Sequence, residues 1–303
     1  ETVKGYYAAF LRDFPTVEAL AAADEERVLK RWEGLGYYAR ARNLQRAARL
    51  VAARPDGFPR TVKEIRALPG IGEYTAGAIA SIAFGLPEPA IDGNQVRALA
   101  RLFGIRSCVT RPEVKRELQA VARSILPADR PGDFNQALMG LGAMICVPAA
   151  PDCAACPVRA FCDAFARGDA GDLPVLPEKA AKRTERRSVV MVLKEGKVFA
   201  RRRPENGLLG GLWEFPNFEN AKTDAEIRAC LREIGIEAAR GKRSIEAEHV
   251  FTHLIWRMNG YFYRAVACAP ELEGRFVDAA ALRELPFPTA LQPFRQAALE
   301  ALS

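Results

Sequence analysis

Cys146-Val147-Pro148-Ala149-Ala150-Pro151-Asp152-Cys153-Ala154-Ala155-Cys156-Pro157-Val158-Arg159-Ala160-Phe161-Cys162 gathers four of the chain's 7 cysteines into one short loop. Four thiolates so close together suit either a tetrahedral zinc ion or a [4Fe–4S] cluster. Structural zinc sites commonly pair two Cys-x2-Cys knuckles. Only Cys153 and Cys156 form one here, so the cluster fits the spacing better. A loop this short cannot bury a core of its own; ligand bonds would hold it and present Arg159 toward a phosphate. Cys108, Cys230 and Cys268 stand singly and read as core thiols or bystanders. Seven cysteines in 303 residues are too few for a disulfide scaffold.

Upstream of the loop the chain reads as helices. Leu44, Ala48 and Val51 recur at helical spacing, as do Val96, Leu99, Leu102 and Phe103, then Val114, Leu118, Val121 and Ile125, then Ala137 to Ile145. Downstream, alternating strand patterns appear: Ser188 to Leu193 and Lys197 to Ala200, joined at Glu195-Gly196, and later Tyr261 to Val266. Ala225 to Ile234 and Phe294 to Leu302 read as helices. The expected organisation is an all-helical domain over 1–170, a basic linker over 171–187 and an α+β domain over 188–303. The apolar content of 49% excludes a largely disordered chain, and no apolar run is long enough to span a membrane. Net charge is +7, and the stretch 173–187 carries five basic side chains against two acidic ones. On charge alone that stretch is either a phosphate-contacting linker or a solvated one.

Two further motifs precede the loop. Leu68-Pro69-Gly70-Ile71-Gly72-Glu73-Tyr74-Thr75-Ala76 lies between helical patterns. Gly70 and Gly72 permit a tight turn whose free backbone N–H groups can face an anion, although Pro-Gly-Ile-Gly also suits any helix–helix turn. Asp92, at the head of Asp92-Gly93-Asn94-Gln95-Val96-Arg97, is positioned as a helix N-cap. Further upstream, Trp32-Glu33-Gly34-Leu35-Gly36-Tyr37-Tyr38 places glycines around an aromatic tip.

The cysteine spacing resembles the iron–sulfur loop of the endonuclease III superfamily. The hairpin, Asp92 and the Trp32–Tyr38 segment then resemble its adenine DNA glycosylase (MutY) family. The resemblance implies an all-α helix-hairpin-helix glycosylase domain with an iron–sulfur loop, followed by an α+β Nudix-like domain. It implies a [4Fe–4S] cluster on Cys146, Cys153, Cys156 and Cys162, structural and DNA-contacting rather than chemical. Asp92 takes the place of the catalytic carboxylate that stabilises an oxocarbenium-like sugar. Tyr74 stands where bifunctional lyases carry a Schiff-base Lys, so water rather than an amine would attack, with Tyr74 assisting Asp92. Gly70, Gly72 and Asn94 would contact DNA. Leu35 and Tyr37 would wedge into the base stack, Tyr37 intercalating.

Gly210-Gly211-Leu212-Trp213-Glu214-Phe215-Pro216 is similar to the strand leading into a Nudix motif, but Arg232-Glu233-Ile234-Gly235-Ile236 lacks the paired glutamates that bind magnesium. The second domain is therefore expected to keep the fold without pyrophosphatase chemistry. His249-Val250-Phe251-Thr252-His253 resembles the family's Phe-Ser-His loop, with Thr252 for Ser; Phe251, Thr252 and His253 would read 8-oxoguanine. The implied partner is double-stranded DNA with 8-oxoguanine:adenine or G:A mispairs, bound by a monomeric, cytoplasmic, nucleoid-associated bacterial protein. The family's general-acid Glu would fall before Glu1, so the chain as given is expected to lack it and to be impaired, commonly by about 10²–10⁴-fold. The alternatives are a bifunctional glycosylase/lyase, a non-catalytic iron–sulfur DNA-binding module and a Nudix phosphohydrolase.

Overall fold

The computed structural model describes residues 2–178, 180–220 and 222–303. Packing divides it into two units, Glu1–Ala52 with Ala180–Ser303, and Ala53–Lys179. The opening helices are α1 (Thr2–Asp13), α2 (Val17–Ala22), α3 (Glu25–Arg31) and α4 (Ala39–Ala52). They bury Phe14, Leu20, Val28, Leu29, Tyr38, Ala41 and Ala48 in a core that also takes in Leu212 from the second half of the chain. Those helices are too short to complete a core among themselves, and the shared one groups them with the C-terminal half. Leu44, expected on the apolar face of α4, is instead exposed. Gln45 takes the buried place beside it because its side-chain amide donates to the carbonyls of Leu20 and Ala23, at 3.3 and 2.6 Å.

The second unit is helical throughout: α5 (Val62–Arg66), α6 (Glu73–Ala78), α7 (Gly93–Leu102), α8 (Pro112–Ile125), α9 (Pro131–Met144) and α10 (Asp163–Arg167). Thr61 caps α5, and Pro stands at the first turn of α8 and α9, where its missing N–H is harmless. The expected periodic residues Leu99, Val114 and Leu118 form the core with Ala98, Ala122 and Leu138. α6 runs on into a π-helical turn, Ile79–Ala83.

The remainder of the first unit is a mixed sheet with β1 (Arg183–Lys194), β2 (Lys197–Arg202), β3 (Trp213–Glu214), β4 (Asn217–Glu219), β5 (Ile236–Val250), β6 (Leu254–Cys268) and β7 (Arg275–Val277). The order is β3-β2-β1-β6-β5, with β4 paired to β1 and β7 to β2. β1 and β6 run parallel, in register from Arg183↔Leu254 to Leu193↔Arg264. Glu195 and Gly196 both have positive φ, the conformation of a tight hairpin turn between β1 and β2. α11 (Asp224–Glu233) covers the face carrying Val190 and Val192; α12 (Ala279–Glu284) and α13 (Gln292–Leu302) cover the face carrying Val189 and Met191. Among the described residues no helix is long and apolar enough to cross a membrane.

Candidate active site and nucleic-acid interface

In the helical unit, α5, the turn Leu68–Gly72 and α6 form a helix-hairpin-helix. Gly70 has φ +76°, a left-handed conformation that strongly favours glycine and reverses the chain. Gly72 is the N-cap of α6, with open space where a side chain would stand. The N–H groups of Glu73, Tyr74 and Thr75 have no acceptor among the described residues. Unused first-turn donors facing open space can meet a phosphate. Gly77, one turn on, lies against the 86–92 segment that leads to Asp92; a Cβ there would overlap the carbonyl oxygen of Pro89. Gly77→Ala is therefore expected to destabilise the protein by about 1–3 kcal/mol through overpacking, read as a lowered urea midpoint.

Asp92 is half-buried and caps α7. Its Oδ1 accepts from the Gln95 N–H at 2.8 Å, and its Oδ2 accepts from the Asn94 side-chain amide at 3.1 Å. Both oxygens keep lone pairs for a third partner. Asn94 is fixed in turn: its Oδ1 accepts from Arg97 Nη2 at 2.8 Å, and Arg97 donates through Nε to the Cys146 carbonyl at 2.7 Å and through Nη2 to the Gly142 carbonyl at 2.6 Å. A continuous hydrogen-bonded path thus joins the Asp92 carboxylate to the first cysteine of the loop. Tyr74 is exposed on the first turn of α6, and its hydroxyl faces Met139 Sδ at 3.9 Å. Among the described contacts it has no hydrogen bond to Asp92. Buried Asn135 ties the surroundings together. It donates to Ser81 Oγ and the Glu88 carbonyl, accepts from the Ala90 N–H, and its own carbonyl accepts from Gln95.

Cys146, Cys153, Cys156 and Cys162 line one cavity together with Arg101 and Arg159. All four are free thiols. Burial raises the Cys153 thiol above its ordinary value, and the other three cysteines add to the effect. Arg101 is 1% exposed. It donates to Cys146 Sγ at 3.2 Å and to the carbonyls of Val147, Pro148 and Leu173 at 2.8 to 2.9 Å. A buried cation facing the sulfurs suits an anionic thiolate set. Four thiols around a shared cavity are a donor set of the kind that holds zinc or an iron–sulfur cluster.

Sequence reading missed Arg97, Arg101 and Asn135. Their signal was present: Arg97 and Arg101 stand four apart on α7, which places them on one face. Charged residues at that spacing ordinarily read as a solvated face, whereas both are buried here.

In the other unit, Gly34, Gly36 and Tyr37 all have positive φ. For Tyr37 that conformation costs on the order of 1–2 kcal/mol. It is 69% exposed, so the strain holds an aromatic ring out in solvent rather than filling a core. Trp32 Nε1 donates to the Gly36 carbonyl at 3.0 Å, and the Leu35 N–H donates to the Trp32 carbonyl at 3.1 Å. Glu33, at the base of the loop, accepts from Gln292 and Arg295 of α13. Tyr38, the second aromatic of the pair, is a core residue. The Tyr37 hydroxyl lies 2.9 Å from Thr252 Oγ1, so the structure brings the two expected DNA contacts together. Phe251 packs edge-on against His249 and Trp256. Thr252 and His253 are exposed at the β5–β6 tip.

Comparison with known proteins agrees with both halves. Residues 1–124 match the family described as HhH-GPD superfamily base excision DNA repair protein, and residues 188–297 match the NUDIX domain. The chain is 35% identical to the mouse adenine DNA glycosylase, over 84% of this chain and 59% of that protein. It is 31% identical to the adenine DNA glycosylase of Buchnera aphidicola subsp. Acyrthosiphon pisum, over 86% of this chain and 73% of that protein. The chain thus spans less than two thirds of the mouse relative, and 56% of the human one. A solved thermostable thymine-DNA glycosylase superposes with a TM-score of 0.50 at 30% identity, over 55% of this chain and 76% of that one. With the hairpin, the capped aspartate and the cysteine-lined cavity in one unit, the Nudix-like sheet in the other, and a relative at 31% identity matched over 73% of its length, the chain belongs to the adenine DNA glycosylase family.

Proposed function

We propose that the protein removes adenine from mispairs with 8-oxoguanine or guanine by hydrolysing its N-glycosidic bond, without lyase chemistry. The observation that carries this is the half-buried Asp92 carboxylate. It is held by Gln95 and Asn94 with lone pairs to spare, beside a hairpin that can take a phosphate. A fixed anion beneath an extruded nucleotide offsets the positive charge that develops on its sugar as the base departs. Tyr74, where lyases place a Lys, cannot form an imine, so attack falls to water. Gly70, Gly72 and Asn94 would hold the strand, with Leu35 and Tyr37 as the wedge.

Cys146, Cys153, Cys156 and Cys162 would hold a [4Fe–4S] cluster, which when bound cross-links the loop and supplies no step of the hydrolysis. Arg101 neutralises thiolate charge there. Through Arg97 and Asn94, the first cysteine's carbonyl helps to orient Asp92. Phe251, Thr252 and His253 would read the opposing 8-oxoguanine.

The test is adenine release by the full-length protein from duplexes carrying 8-oxoguanine:A and G:A, with borohydride added. Release without a covalent adduct is expected; high-yield trapping would make the protein a lyase, and no release would leave a DNA-binding module. The double variant Phe251→Ala with Thr252→Ala should lose about tenfold of its preference for 8-oxoguanine:A, roughly one lost hydrogen bond plus packing, with G:A cleavage retained. Equal loss on both substrates would assign the loop to folding.

A further inference from the structure

The recognition loop is gripped by the segment that enters the sheet. Lys182 Nζ donates to the Phe251 carbonyl at 2.8 Å, and the Arg183 N–H donates to the His253 carbonyl at 3.4 Å. The parallel pairing of β1 with β6 begins at Arg183↔Leu254, so these two bonds carry it one step past the strand end, over the loop. The Phe251 N–H closes the loop onto the Leu254 carbonyl at 2.8 Å, and the Tyr37 hydroxyl meets the Thr252 hydroxyl. The N–H of Thr252 has no acceptor among the described residues.

A trans peptide is planar, with its C=O and N–H pointing in opposite directions. Holding the Phe251 carbonyl therefore also sets the direction of the Thr252 N–H, which points away from Lys182. With the Tyr37 hydroxyl donating to Thr252 Oγ1, the Thr252 O–H is free to turn, beside the Thr252 N–H, toward a shared acceptor. 8-Oxoguanine differs from guanine in having a carbonyl oxygen at C8 and a proton on N7, so a donor aimed at that edge meets an acceptor that guanine lacks.

We propose that Lys182 is a positioning residue for lesion discrimination: it fixes the 251–252 peptide so that Thr252 presents its N–H and hydroxyl to the C8 carbonyl edge of 8-oxoguanine. The proposal rests on the reading of Phe251–His253 as the lesion loop. It gives a specific role to a charge that, from sequence, belongs either to a phosphate-contacting linker or to a solvated one. The two roles separate experimentally, because a phosphate contact weakens binding to every sequence and lowers the salt slope by about one, whereas a positioning contact changes a ratio.

Lys182 is exposed, so its substitution spares the core. Affinity of the full-length protein is measured by fluorescence anisotropy for two duplexes. One pairs 8-oxoguanine and the other guanine with a non-cleavable 2′-fluoro adenosine. Lys182→Met should lower the affinity ratio about threefold to tenfold, the range of one exposed hydrogen bond, with guanine-duplex affinity and salt slope unchanged; Lys182→Arg, which keeps a donor, should restore most of it. Equal weakening on both duplexes with a reduced salt slope would overturn the proposal in favour of a phosphate contact, and an unchanged ratio would overturn it outright. The Phe251→Ala, Thr252→Ala double variant separates the two levels. If it also keeps the ratio, the loop reading itself fails; if it loses the ratio while Lys182→Met keeps it, only the role of Lys182 fails.

Discussion

Asp92→Asn is expected to lower single-turnover adenine release by about 10²–10³-fold, the scale for removing one preorganised electrostatic group, while affinity for a duplex with a non-cleavable adenine analogue stays within about threefold. The structure makes this a clean substitution. Asn caps a helix about as well as Asp, so the bond from the Gln95 N–H survives through the retained carbonyl oxygen. The other oxygen becomes an NH₂ facing the amide of Asn94, which disturbs one hydrogen bond worth about 1 kcal/mol. The fold therefore persists and only the charge is lost. Release within about threefold of the parent would remove Asp92 from the chemistry, since the expected electrostatic loss is far larger. A collapse of the urea midpoint would make its role structural.

The second large effect is expected at a residue with no catalytic part. Arg101→Met should strip most of the iron from the purified protein and destabilise it by about 1–3 kcal/mol or more, because the buried Leu173 carbonyl loses its donor outright and the part-buried carbonyls of Val147 and Pro148 and the Cys146 thiol lose theirs. Those groups belong to Val147, Pro148, Leu173 and Cys146, on both sides of the cysteine loop. Arg101→Lys keeps the charge but cannot fork between them, so partial iron content and an intermediate urea midpoint are expected. A Met variant with full iron, its 400 nm absorbance and the parent's midpoint would show that the thiols need no cation beside them.

Much of the candidate site was legible because its features are local. Asp92 at the head of a helix, Gly70 and Gly72 at a turn, and four closely spaced cysteines each depend on neighbours a few positions away. Strand β5 was not legible. Arg240, Lys242 and Arg243 interrupt any apolar alternation through its middle, and past them only Ile245-Glu246-Ala247-Glu248 alternates, with Ile245 and Ala247 half-buried against the core. It is a strand because β6 pairs with it almost throughout. The Glu195–Gly196 turn carries its own local signal, and both residues have the positive φ of such a turn.

The amino-acid order alone carried the family resemblance, the helical and mixed α/β halves, and the residues proposed to bind a cluster or support a departing base. Those are properties of short windows: periodicity, turn chemistry and ligand spacing. Only the tertiary structure decided that the first four helices complete their core with Leu212, that Arg97 and Arg101 turn inward to the cysteine loop, that Tyr74 faces Met139, and that Lys182 and Tyr37 converge on the loop at 251–253. Each of these joins residues far apart in the chain. A buried guanidinium or a gripped carbonyl depends on which polar groups packing brings within about 3 Å, and no local pattern encodes that.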